Sequence, residues 1–164
     1  MGMVWVARLA DESEVAQIKS DPKSAYDFIN PEEGWETAPI IDLDKEWHAL
    51  HFLLTQSAGP TEDPLSLILG NYEEIGPDNG YGSAFHIPAA NLKAFADASD
   101  ALNEVALRER YDTEAMVAQH IYLGDMYHEE GDDGLKFLTS RLNELTEFAA
   151  KAASGGLSAF AVVT

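Results

Sequence analysis

Residues 41–70 read IDLDKEWHALHFLLTQSAGPTEDPLSLILG, and the fold follows from where helix and loop divide within them. Trp47, Leu50 and Leu54, with His51 and Phe52 beside them, recur at helical spacing, so residues 43–55 form a helix. Asp42 and Asp44 suit the positive N-terminal end of that helix, and either side chain can cap it. Residues 56–63 then read as loop. Asp63-Pro64 starts a second, short helix through Leu69, which Gly70 terminates.

Upstream, residues 4–9 (VWVARL) are β-branched and aromatic and form a strand. Asp11, with Glu14 three positions on, opens a helix whose buried stripe holds Val15 and Ile18. Pro22 begins a further short helix carrying Tyr26, Phe28 and Ile29, which Asn30-Pro31 stops. Residues 31–39 are loop, and Trp35 within them folds back onto the body of the protein.

Downstream, residues 71–80 are turn-rich, residues 81–87 form a strand, and residues 88–110 hold one or two helices. A helix over 114–120 follows, and residues 121–132 carry no clear period. Residues 135–153 form an amphipathic helix, with Leu135, Leu138, Leu142, Leu145, Ala149 and Ala152 on one stripe. Gly155-Gly156 ends it, and residues 157–163 close as an apolar strand. The order predicts an α+β fold in one compact domain over residues 1–164, with the N- and C-terminal strands in a small central sheet surrounded by several helices.

The chain has 164 residues, 46% of them hydrophobic, enough for a single core. Its net charge of −19, from 29 acids against 10 bases, repels phosphate backbones and anionic lipid. No nucleic acid and no membrane is therefore expected as a partner. A basic protein or a small cationic ligand is. The absence of cysteine removes disulfides, thiolate metal sites and cysteine nucleophiles. The opening MGMVWVARL has no basic n-region or signal-length apolar run, and Val6 stands where a myristoylation signal needs Ser or Thr. These features point to the cytoplasm.

On one continuous helix, Asp44, His48 and His51 form a file of carboxylate, imidazole and imidazole. Such a file can present a carboxylate-tuned base to a substrate. It lacks the further residues of a His-Glu-x-x-His site, so neither a metal nor another cofactor is expected. The competing reading bonds His51 to a backbone carbonyl at the core edge and leaves His48 in solvent. Trp47, one residue from His48, turns to a different face and anchors in the core. Asp42, Asp44, Trp47, His48 and His51 are the candidate functional cluster. A second acidic group, Asp125 to Asp133 with His120 and His128, lacks the alternating acids of a calcium loop and solvates a helix start. No Gly-x-Ser-x-Gly or phosphate-binding glycine loop is present. The chain reads as an acidic binding or interaction module, with a small hydrolase using a His/Asp pair as the alternative.

The pattern Leu43-Asp44-Lys45, Trp47, Leu50-His51-Phe52 and Leu54-Thr55, followed by Asp63-Pro64-Leu65, resembles the YfbM-like family of small bacterial proteins, a domain of unknown function. The Met-Gly-Met opening, the Tyr81-Gly82 turn, the helix over 88–101 and the closing helix and strand extend the resemblance over nearly the whole chain. Family members often carry Gly after the threonine, where this chain has Gln56. The resemblance implies a single α+β domain of the bacterial cytoplasm. It brings no reaction, cofactor or catalytic residue.

Overall fold

The sheet is built from the two ends of the chain inward. In the computed structural model, which describes residues 2–164, β1 (Trp5–Ala10) and β5 (Ser158–Val163) pair antiparallel, from Trp5 opposite Val163 to Ala10 opposite Ser158. Both runs are apolar almost without interruption because both of their faces are buried. β2 (Ile40–Asp42), β3 (Glu73–Asp78) and β4 (Ser83–Ile87) complete a five-stranded antiparallel sheet in the order β2-β1-β5-β4-β3. The expected central pairing of the terminal strands is the architecture found.

The two faces carry different loads. Val6, Ala10, Phe160 and Val162 face α1 (Glu12–Ser20) and α2 (Ala25–Ile29) in a small core completed by Ile18, Ile29 and Ile75. Asp11 and Glu14 close the expected capping box at the start of α1. Trp35 packs against this cluster, as its acidic loop setting suggested. Trp5, Ala7, Leu9, Ala159 and Ala161 face the larger core. That core holds α3 (Trp47–Thr55), α4 (Ala89–Ser99), α5 (Glu104–Arg110), α6 (Thr113–Ala118), α7 (Gly124–Glu130) and α8 (Asp132–Gly155). The Leu135–Ala152 stripe of α8 is buried as its period requires, and Gly156 ends the helix in the left-handed region.

Two local expectations are corrected, and one strand lies where no element was expected. Residues 63–69 form turns, not a helix. Asp63 Oδ1 accepts from Leu65 N–H and Ser66 Oγ donates to Leu69 C=O, so local side chains satisfy the main chain instead. β3 runs through the turn-rich stretch because a bulge between Ile75 and Asp78 absorbs Gly76 and Pro77 at the sheet edge. Gly76 has φ +81°, and a Cβ there would strike the Pro22 carbonyl. β2 is three residues long, too short for any period to register.

Candidate functional site

α3 is buried all round: Trp47 and every residue from Ala49 to Leu54 lie inside the protein. A helix apolar on every side belongs in the core, not at an edge. The helix begins at Trp47, preceded by a 3-10 turn at Asp44–Glu46 in which Asp44 has φ +47°. Asp44 therefore does not continue the α-helical file, and the single edge of Asp44, His48 and His51 does not form. Asp42 and Asp44 instead bond to each other, Asp44 N–H donating to Asp42 Oδ1 at 2.7 Å.

The two imidazoles are held by main chain. His48 Nε2 lies 2.9 Å from Ala58 C=O and His51 Nε2 lies 2.8 Å from Gly59 C=O. Carbonyls only accept, so both rings carry their proton on Nε2. His48 Nδ1 then accepts the Tyr122 N–H at 3.0 Å, tying the α6–α7 connection to α3. His51 is fully enclosed, and its Nδ1 is buried without a partner. Thr55 Oγ1 donates to His51 C=O at 2.9 Å and steadies the same turn. Burial pushes both imidazoles below their ordinary titration range, and the bonds to Ala58 and Gly59 only partly oppose it. The competing reading of His51, a core histidine on a backbone carbonyl, is the arrangement present, while His48 is bonded where solvent was expected. Together the rings clamp two successive carbonyls of the loop leaving α3.

Trp47 donates from Nε1 to Met3 C=O at 3.0 Å, and its indole stacks on His48 with centroids 5.0 Å apart. A different face was expected from its position one residue away. Trp47 is the first α-helical residue, following a 3-10 turn and not an α-helical one, so the regular spacing of faces does not hold across it. At the other end, Gln56 adopts φ +59°, and its amide donates to Phe52 C=O and Arg110 C=O. Arg110 Nη1 donates to Leu54 C=O at 2.7 Å. The departure at Gln56 thus supplies a left-handed cap of its own.

Glu46 was not singled out in the sequence. It is a buried carboxylate whose Oε2 lies 3.4 Å from Arg141 Nε on α8. Burial raises its pKa, and Arg141 opposes that rise. The Tyr127 hydroxyl, fully buried and without a partner, is pushed up by burial first and by the Glu46 charge second. The only sequence signal for this group was a base, Arg141, inside an apolar stripe of a chain with few bases. Of the other acidic group, His128 Nδ1 meets Thr113 Oγ1 at 3.0 Å and Asp132 pairs with Arg108. Among the described residues no His, Asp and Glu side chains gather in a metal-binding group, and no helix is long and apolar enough to cross a membrane.

Two grooves flank α8. The larger, about 540 Å³, lies against α5 over Leu102, Leu107, Leu135 and Leu142. Many of its polar groups are engaged already: Ser99, Thr139 and Thr146 donate to carbonyls of their own helices, Asn103 caps α5, and Arg108 lies between Glu104 and Asp132. The smaller, about 390 Å³, runs between β2 and α8 over Leu9, Ile41 and Phe148. Asp42, Glu144 and Glu147 line it with one base, Lys151, and Glu144 is also paired with Arg141 Nη1 at 3.0 Å. Of the expected cluster, the structure brings Asp42 alone to an open groove.

These features define a small α+β protein with its terminal strands paired mid-sheet and a buried helix whose histidines fix a loop. That architecture is also found in the crystal structure of a protein of unknown function, YfbM from Escherichia coli, with TM-score 0.73 and 20% identity over 99% of each chain. The chain belongs to the family described as Domain of unknown function (DUF1877), which matches residues 1–162. In sequence, Protein YfbM of Escherichia coli (strain K12) is 29% identical over 136 residues, covering 79% of this chain and 78% of that protein.

Proposed function

We propose that this chain is an acidic binding module that engages a basic protein segment. The observation that supports this reading best is the groove between β2 and α8, where Glu144 and Glu147 outnumber Lys151 over an apolar floor and Asp42 stands at the sheet edge that bounds it. A cationic partner is attracted by the overall charge of −19 and oriented by the local excess of acids. His48 and His51 favour no hydrolytic role: their Nε2 protons point at loop carbonyls, and neither ring has a nitrogen that is both free and open to solvent. Calorimetric titration with poly-lysine at low and high salt tests the reading. Inverting Glu144 and Glu147 to lysine should weaken binding far more than inverting Glu12 and Glu129, exposed acids elsewhere. Equal losses from both pairs would reduce the interaction to net charge and remove the groove from it.

A further inference from the structure

We infer that β2 accepts an added strand, its occupant being an extended basic segment of another protein laid between β2 and α8. This rests on the acidic-module reading and adds its mode of docking. β2 is the outermost strand on its side of the sheet. Leu9 N–H donates to Pro39 C=O and Leu43 N–H donates to Trp5 C=O, and Ile41 stands opposite Ala7 between them. Ile41 therefore turns its main-chain groups toward β1, and in an antiparallel ladder its neighbours turn theirs outward. The Ile40 N–H bends back to Ala38 C=O at 2.8 Å. The Ile40 carbonyl and both main-chain groups of Asp42 are left facing off the sheet, at the spacing a further strand uses.

Charge selects among occupants. Ile40 packs into the smaller core on the face that Val6 shares, so Asp42, two residues on and opposite Val6, projects on that face too. Glu144 and Glu147 stand on α8, on the other face. A strand laid on this edge thus meets carboxylates from both sides, and lysine or arginine on either of its faces is matched. A second copy would bring the same acids to the same edge. The Ile40 N–H is already turned back to Ala38 C=O, so few main-chain bonds form and the complex depends on charge. Its affinity falls steeply with salt.

The test titrates the full-length, ¹⁵N-labelled chain with a synthetic peptide of alternating lysine and valine. Two controls are the same peptide N-methylated on one or the other alternate set of amides, and a helix-forming lysine–alanine peptide of equal charge. The alternating peptide is expected to bind at low salt and to slow hydrogen exchange at the Asp42 amide by about tenfold or more. One methylated set should lose about tenfold in affinity and the other should not, because only one set faces β2. Equal binding by both methylated sets, or by the helix former, would overturn strand addition and leave the acidic-module reading standing. No binding by any basic peptide at low salt would overturn both. Asp42 protection that rises with protein concentration alone would assign the edge to a second copy, and the inference would be wrong.

Discussion

Two neighbouring segments, β2 and α3, share one stretch of chain and meet opposite fates. α3 carries the residues whose types suggest chemistry, yet it is enclosed and its imidazoles are bonded to loop carbonyls. β2 carries one acid and two isoleucines, yet its outer main-chain groups face off the sheet. Hydrogen-bonding capacity that is already engaged stabilises a fold; capacity left open can recognise a partner.

The largest expected effect strikes the enclosed segment. His51→Ala removes the donor to Gly59 and opens a cavity beneath it, costing about 3–4 kcal/mol in urea unfolding. A loss under about 1 kcal/mol would mean the ring is not a clamp. Next, Arg141→Met strands the Glu46 carboxylate inside the protein and should cost about 2 kcal/mol near neutral pH. That penalty should shrink at acid pH, because the raised pKa of Glu46 lets it protonate there; a pH-independent penalty would contradict the buried-charge account.

Acid itself comes third. Both imidazoles titrate below their ordinary 6.5 in the folded chain, so the unfolded chain takes up protons first as pH falls. Their contribution is whole above pH 6.5 and declines below it, by at most about 1.4 kcal/mol per pH unit for each ring. Glu46 has the opposite sign, gaining stability as pH falls through its raised value toward 4.5. Burial holds the His86 imidazole low as well, so urea midpoints between neutral pH and 5 should fall, and fall less in His48→Gln, which loses one of the three such rings. The smallest effect is at the open segment. Asp42→Asn keeps the oxygen that accepts from Asp44, so stability should move by less than about 0.5 kcal/mol. Binding of a basic peptide should weaken several-fold in the same variant, and an unchanged affinity would take Asp42 out of the interface.

Much of the fold was legible because long apolar periods survive translation into structure: β1, β5, the stripe of α8 and the capping box of α1 all formed where their patterns lay. The site was less legible. Helical spacing correctly made His48 and His51 neighbours, but it could not say which residues would enclose them, since α3 is apolar on all sides. Glu46 and Arg141 meet only through tertiary packing, far apart in the chain. β2 was invisible because three residues have no period, and its open side is a property of the sheet order and not of its side chains.

The placement of β5 has a consequence for how the molecule is made. Its partners β1 and β4 are synthesised long before it, yet both need it to bury their inner sides. A nascent chain that has not yet released residues 158–163 holds a split sheet, with β1 and β4 as raw edges. Folding must await a long-range closure, which is slow. Val4 and Thr164, joined by reciprocal main-chain bonds, are the seam of that closure; a circular permutant fused there and reopened in the turns at 61–64 would make β5 early and should shorten the vulnerable interval.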